Sequence, residues 1–575
     1  MKNYLLKIYS TLSKKQKLNS LYILILILVS LFLEMIGIGI IIPIIGLMID
    51  YENFIQLEYT TIMYNILSQP SQLEFITYIM FFMTFIYFIK FVFFVHLTER
   101  QSEFSLDINM SMTYKLLNNY IHQPYLFFTN KHSSEIIRNV ISEIDLFSLA
   151  LKDIITFIIE ISVIIALSLF LFFYEPITAL FLFITLLLSG LIFKKFSKEK
   201  LNKFGYDRMI FDQKNIMYLQ NIIGGIREIK LLNNENYFKN KFFTNNIKSL
   251  KIKKLYNIIN ILPRLIIEFL GIIILTVVVI YLVNTENNFE KTVTNLALFA
   301  GVALRVMPSL NRIYLNAQAL SFSLSSVETL SKELKNNNID FSNDTEELKF
   351  ENFIDIRNLS FKFPNTDKNI FSNINLKINK GESIGIIGST GCGKSTLANI
   401  ISGLIIPSGG DIIIDNYKIR DVLIQWQKKI GYVSQNFFLI DDSIKNNICF
   451  GHEKINEENL KKAVKESQLD EFLNSLPKGL DTLIGEMGSR LSGGQQQRIS
   501  IARALYNNPE VIIFDEATNS LDIDTESKIM DTIYNIKKDK TLILIAHRSS
   551  TLSQCDNIYE LKNGSIKKVD NLFNH

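Results

Sequence analysis

"GSTGCGKST", residues 388–396, follows the apolar run "SIGIIG" (383–388) and opens onto a helical pattern. Its spacing is GxxxxGK[ST]. Glycines at Gly388, Gly391 and Gly393 let backbone N–H groups curl around the β- and γ-phosphates of a nucleotide. Ser389, Thr390 and Cys392 fill the loop between them. Lys394 adds a cation, the Ser395 hydroxyl is a ligand for Mg²⁺, and Thr396 continues into the helix. Further buried-strand runs, "VIIFD" (511–515) and "TLILIA" (541–546), alternate with helical patterns. That alternation predicts an α/β P-loop NTPase domain built on a parallel sheet. Asp515, at the end of an apolar strand, is placed to hold Mg²⁺ directly or through water. Glu516 beside it is placed to polarise an attacking water.

Ahead of residue 333 the chemistry changes. The chain has 575 residues, of which 48% are hydrophobic and 20% charged, and the mean hydropathy is +0.20. Apolar segments of spanning length lie near 18–49, 75–98, 148–173, 177–196, 258–283 and 292–318. These predict an all-α transmembrane domain over 1–332, a polar linker over 333–352 and the nucleotide domain over 353–575. The first apolar run is too long for a signal peptide and lacks a small-residue cleavage site. Polar, helix-compatible stretches 99–147 and 197–257 extend the spans well beyond a bilayer. No Lys or Arg occurs between Asp50 and Ile89, whereas Lys194, Lys195, Lys198, Lys200 and Lys203 cluster after the fourth span. Both termini and the long stretches are therefore expected on the cytoplasmic side. In the first outer loop Ile55, Tyr59, Ile62 and Ile66 have the spacing of a short interfacial helix, and an ordinary ordered loop fits equally well. A net charge of +4 gives no reason to expect a nucleic-acid partner. Cys392, Cys449 and Cys555 are scattered and odd in number, which argues against a disulfide framework or a zinc site.

Between the phosphate loop and "VIIFDE" lies "LSGGQQQR" (491–498), where Ser492, Gly493, Gly494 and Gln495 sit at a predicted helix start. Unpaired N–H groups and the helix dipole suit a γ-phosphate there. This stretch resembles the signature of the ATP-binding cassette (ABC) family. That resemblance implies further assignments at matching positions. Phe363 in "SFKFP" stands where an aromatic stacks on adenine. Gln435 in "YVSQN" matches the loop that meets Mg²⁺. "SLD" (520–522) matches the D-loop, and His547 in "IAHR" the switch histidine that senses the γ-phosphate. ATP and Mg²⁺ are the implied cofactors. The signature caps nucleotide on an opposite cassette in this family, so a second copy of the chain is the implied partner. All catalytic positions match, so both composite sites should hydrolyse ATP. Six spans followed by one cassette resemble the exporter-type half-transporter. Its coupling helices are expected near 123–135 and 221–232, and no peptidase domain is expected ahead of the first span.

Four cations fall inside apolar segments: Lys90, Arg264, Arg305 and Arg312. Arg305 and Arg312 are seven residues apart and share one helix face. Such groups usually line a cavity or pair with one another's opposites, so a cationic wall for an anionic, phosphate-bearing substrate is expected. Charge pairing with Glu268, Glu34 and Glu160 is the alternative role, as is snorkelling of Arg264 and Arg312 to the inner interface. "LPRLIIEFLG", "ALRVMPSLNRI" and "KKIGYVSQNFFLIDDSIKNNICFG" resemble the bacterial lipid-linked oligosaccharide flippases (the PglK family). Gly493 and Gly494 depart from those flippases toward the general ABC signature. The resemblance implies a polyprenyl-pyrophosphate-linked glycan as cargo, moved across the bacterial cytoplasmic (inner) membrane, with lipids as surroundings. A general lipid, drug or peptide exporter is the alternative.

Overall fold

The structure is a computed structural model. It describes residues 12–39, 61–62, 64–65, 67–68, 70–174, 184, 190–191, 198–285, 289–335, 348–364, 366–516, 523–536, 540–546 and 552–569. The chain divides into two compact units, Met1–Gln123 with Phe128–Asn338, and Pro124–Phe127 with Ile339–His575.

The first unit is helical. Its long elements are α1 (Lys14–Gly39), α2 (Gln72–Ile121), α5 (Ile144–Tyr174), α6 (Lys198–Gly224), α8 (Glu235–Thr285) and α9 (Phe289–Phe322). Of the short helices, α3 (Tyr125–Asn130) is divided between the units, with Tyr125–Phe127 in the second, while α4 (Ser133–Arg138), α7 (Ile226–Leu231) and α10 (Leu324–Glu333) lie between or after the long ones. Helix α2 starts at a capping box, with the Ser71 amide donating to Glu74 Oε2 at 2.9 Å. Its 50 residues span about 75 Å, so one helix carries both the second apolar segment and its polar extension. Among the described residues three helices are long and apolar enough to cross a membrane: Lys14–Gly37, Gln72–Ile121 and Glu235–Val277. The expected third and sixth spans coincide with α5 and α9. The fourth, apart from Ile184, Gly190 and Leu191, lies outside the described residues, as does most of the first outer loop. Leu28, Phe32, Phe81 and Phe91 are each about two-thirds exposed or more. Apolar side chains arrayed so along helices need a hydrocarbon surrounding.

Proline explains one contact between α8 and α9. Pro263 has no N–H to give to the carbonyl four residues earlier, that of Ile259. The fully buried Gln318 on α9 donates its amide to that carbonyl at 3.1 Å. The helix interruption is thus repaired from a neighbouring helix.

A second polar junction lies in the extension, where a π-helical turn, Asn139–Glu143, separates α4 from α5. Glu143 is completely buried and receives Arg208 Nη2 at 2.8 Å, Arg138 Nε at 3.5 Å and the Ser326 hydroxyl. Arg138 also donates to Gln213 Oε1 at 2.7 Å, and Asn139 donates to the Tyr120 hydroxyl at 2.9 Å. One carboxylate therefore joins α4, α6 and α10, with α2 tied in beside it. Burial pulls the Arg138 guanidinium below its usual pKa, and Glu143 opposes that pull.

The cassette unit has two sheets. The four-stranded antiparallel sheet runs β2-β1-β4-β5, with β1 Phe353–Phe361, β2 Phe371–Asn379, β4 Gly409–Ile414 and β5 Tyr417–Lys418. The six-stranded sheet runs β10-β9-β3-β8-β7-β6, with β3 Ser383–Ile387, β6 Ile430–Val433, β7 Val511–Asp515, β8 Thr541–Ile545, β9 Asn557–Lys562 and β10 Ser565–Val569. All pairs from β9 to β6 are parallel, and β10 is an antiparallel edge. Every residue of β7 and β8 is buried, which is why these strands read as unbroken apolar runs. One core, with Phe350, Phe361, Ile384 and Trp426, fills the side of the four-stranded sheet. A second, with Ile444, Leu460, Ile499 and Leu505, packs the helices. Leu126 packs on the first of these cores.

Glu143→Ala strands two buried guanidinium groups and should cost about 3–5 kcal/mol. The expected result is a clear drop in thermal unfolding temperature of the purified chain, with a much smaller drop when Glu143, Arg138 and Arg208 are all replaced by Met.

Candidate functional site

The phosphate loop leaves the C-terminal end of β3 and enters α11 (Lys394–Ile401). Gly393, the residue before that helix, has φ of 105°, and a Cβ there would lie 2.7 Å from Ile370 Cγ2 and 2.9 Å from the Phe371 ring. Only glycine meets both the left-handed backbone and the close approach. Lys394 is buried, and its Nζ donates to the carbonyl of Gly388 at 2.9 Å and lies 3.8 Å from Glu516 Oε1. Gly388, Ser389, Thr390, Gly391 and Cys392 form the loop, and Thr396 lies in the first turn of α11.

Strand order brings the acidic residues to this loop, because β8 lies between β3 and β7 and all three end on the same side. Ser395 Oγ donates to Asp515 Oδ1 at 3.0 Å, and the Tyr432 hydroxyl donates to Asp515 Oδ2 at 3.2 Å. Burial raises the Asp515 carboxyl above the usual range, and the Ser395 and Tyr432 hydrogen bonds oppose the rise. Burial and the neighbouring Asp515 push the Tyr432 hydroxyl up, so it stays a donor. The hydroxyl and carboxylate oxygens of Ser395 and Asp515 are the hard donors that suit Mg²⁺.

Glu516 has φ of 51°, left-handed without being glycine, and its amide donates to the Ile545 carbonyl at 3.0 Å. Such a residue costs on the order of 1–2 kcal/mol and turns the chain sharply at the strand end. Gln435 Nε2 donates to Glu516 Oε2 at 2.6 Å. Lys394, Ser395, Gln435, Asp515 and Glu516 thus converge, as the spacing suggests, and Tyr432 joins them. Tyr432 opens the stretch "YVSQN", in which only Gln435 is given a role by the spacing. It is placed by the pairing of β6 with β7, which is invisible along the chain.

The remaining positions are separate. Phe363 stands edge-on to Phe361 with centroids 5.2 Å apart, in an open cleft shared with Lys362, Pro364, Thr366, Asp367 and Ser408. Ser492 caps α12 (Gly493–Tyr506). Its hydroxyl accepts from the Gln495 amide at 3.3 Å while the Gln495 side chain accepts from the Ser492 amide at 2.9 Å. That capping box satisfies two backbone donors. The amides of Gly493 and Gly494 have no acceptor among the described residues. His547 and "SLD" lie outside the described residues.

Each intramembrane cation meets a carboxylate. Lys90 Nζ is 2.8 Å from Glu34 Oε2, and Arg305 Nε pairs with Glu34 Oε1. Arg312 Nε is 2.6 Å from Glu160 Oε1. Arg264 pairs with Glu268 one turn along α8 at 2.8 Å, and both side chains are exposed. Lys90 and Arg305 are therefore brought together, Arg312 lies two turns from Arg305, and Arg264 stands in a pair of its own.

Two substitutions check the nucleotide geometry. Glu516→Gln should retain ATP binding and lose ATP turnover by at least about a hundredfold, read by equilibrium binding and phosphate release. Gly393→Ala should lose ATP binding itself, because the added methyl meets the Ile370 and Phe371 side chains and strains a left-handed backbone at the mouth of the loop.

The family model for the ABC transporter transmembrane region matches residues 20–305, and that for the ABC transporter matches residues 371–519. Together they account for about three quarters of the chain. An ATP-dependent lipid A-core flippase of Syntrophus aciditrophicus (strain SB) is 42% identical over 214 residues, 37% of this chain and 35% of that protein. A putative multidrug export ATP-binding/permease protein of Staphylococcus aureus (strain NCTC 8325 / PS 47) is 41% identical over 214 residues, 37% of each. The matched stretch thus spans little more than a third of the length of these relatives. A solved structure of a bacterial Atm1-family ABC exporter with ATP bound superposes with a TM-score of 0.79 at 18% identity, covering 96% of this chain and 94% of that one. With its helical unit and its cassette matched in tandem, the chain belongs to the ABC transporters and has the fold of an ABC exporter.

Proposed function

We propose that two copies of this chain form an ATP-hydrolysing exporter of the bacterial cytoplasmic membrane. Its cargo is an anionic lipid, a polyprenyl-pyrophosphate-linked oligosaccharide, flipped from the inner to the outer leaflet. The membrane domain takes residues 1–332, the linker 333–352 and the cassette 353–575. Phe363 stacks on adenine, residues 388–396 cradle the phosphates, and Ser395, Asp515 and Gln435 hold Mg²⁺. Glu516 activates water and His547 senses the γ-phosphate. Ser492, Gly493, Gly494 and Gln495 of one copy cap the nucleotide on the other. The exposed start of α12, with its two glycine amides turned to no acceptor among the described residues, supports that pairing.

The observation that carries the lipid reading is the clustering of Lys90 and Arg305 inside apolar helices, with Arg312 on the same face of α9. Cations are expensive in a bilayer unless they face a polar cavity or a counter-charge, and arginine suits phosphate oxygens. Relatives bearing the name lipid A-core flippase favour a lipid cargo. A relative bearing the name multidrug export protein keeps a broader exporter as the second reading. Alternating access driven by cassette closure follows from the two-state logic of such assemblies.

In proteoliposomes, an undecaprenyl-pyrophosphate-linked glycan should be flipped with ATP and stimulate hydrolysis, while lipophilic cationic drugs should do neither. Arg305→Ala with Arg312→Ala should slow flipping by about tenfold or more and leave basal ATP hydrolysis near the starting rate. Equal flipping by the double variant, or preference for the drugs, would favour the second reading.

A further inference from the structure

Glu34, on α1, is 3% exposed at its side chain, against 18% for Lys90 on α2 and 20% for Arg305 on α9. One carboxylate therefore joins three helices. Lys90 is also held by the Tyr87 ring, whose centroid is 5.0 Å from its Nζ, while the Tyr87 hydroxyl donates to the Gly37 carbonyl at 3.3 Å. The formal charges do not balance, since one anion faces two cations. Two turns along α9, Arg312 pairs with the buried Glu160. Between the two arginines Ser309 is fully buried, and its hydroxyl has no partner among the described residues. Positions 305, 309, 312 and 316, occupied by Arg, Ser, Arg and Asn, share one face of α9. That stripe presents cationic and neutral donors in sequence.

We propose that Glu34 is a built-in counter-anion that competes with the anionic headgroup of the cargo for Lys90 and Arg305. The proposal rests on the reading of the cargo as an anionic lipid. Without cargo, Glu34 keeps two like charges from repelling each other in a low-dielectric setting. With cargo, a phosphate group that engages Lys90 and Arg305 is set beside a buried carboxylate of its own sign. Glu34 thereby lowers the affinity of the loaded site and favours release. It acts through the two cations and sets how tightly a net-anionic headgroup is held.

The test uses the full chain, purified in detergent and titrated by native mass spectrometry with undecaprenyl pyrophosphate, phosphatidylglycerol and phosphatidylethanolamine. Glu34→Gln should bind undecaprenyl pyrophosphate about tenfold tighter than the unsubstituted chain, with phosphatidylethanolamine unchanged. Glu34→Asp, which keeps the charge, should show no such gain. If Glu34→Gln does not fold, Glu34→Gln with Lys90→Gln restores the original charge balance and should bind about tenfold tighter than Lys90→Gln alone. Equal affinities within either comparison would overturn the proposal, as would equal tightening toward phosphatidylethanolamine. Tightening toward phosphatidylglycerol, with no form binding undecaprenyl pyrophosphate, would retire the polyprenyl cargo and uphold the counter-anion.

Discussion

A carboxylate taken out of water must be met by cations or hydrogen-bond donors, and three such groups set constraints on this chain. Glu143 is satisfied only when α4, α6 and α10 meet at the π-helical turn. Glu34 is satisfied only when α2 and α9 bring Lys90 and Arg305 to α1. Asp515 is satisfied only when β6 and the phosphate loop present Tyr432 and Ser395 to the end of β7. An unpaired buried charge is so costly that each of these junctions is defined more sharply than apolar packing alone would define it.

The two units meet that constraint differently. In the cassette the parallel sheet supplies position: strand ends align, so residues far apart in sequence arrive within hydrogen-bond distance around Ser395, Asp515 and Gln435. In the helical unit there is no ladder to impose register. Long helices are instead pinned by a few polar contacts, such as Gln318 on the carbonyl freed by Pro263. Local departures from regular packing occur in both units. A strained Glu516 follows β7, and paired cations interrupt the apolar helices.

The phosphate loop, the acids after "VIIF" and the capped helix at 492 were readable from spacing, because phosphate binding requires glycine, lysine and hydroxyl at fixed offsets on a strand–loop–helix. The long helices were readable from apolar length and the polar extensions that follow, and α2 forms through both. The partners of the cations were harder to read. Glu268 lies one turn from Arg264 and can be found by counting, whereas Glu34 is 271 residues from Arg305 and can only be offered as one of several acids in apolar segments.

By itself, then, the sequence determined where a phosphate-loop pattern follows a strand and opens a helix, and which long segments are apolar enough to need hydrocarbon around them. These are local properties, set by period, offset and composition. Only the tertiary structure decided that Tyr432 joins Ser395 on Asp515, that Glu143 gathers two arginines, and that one buried glutamate holds Lys90 and Arg305 together. Strand order and helix packing create those neighbours, and neither leaves a periodic trace along the chain.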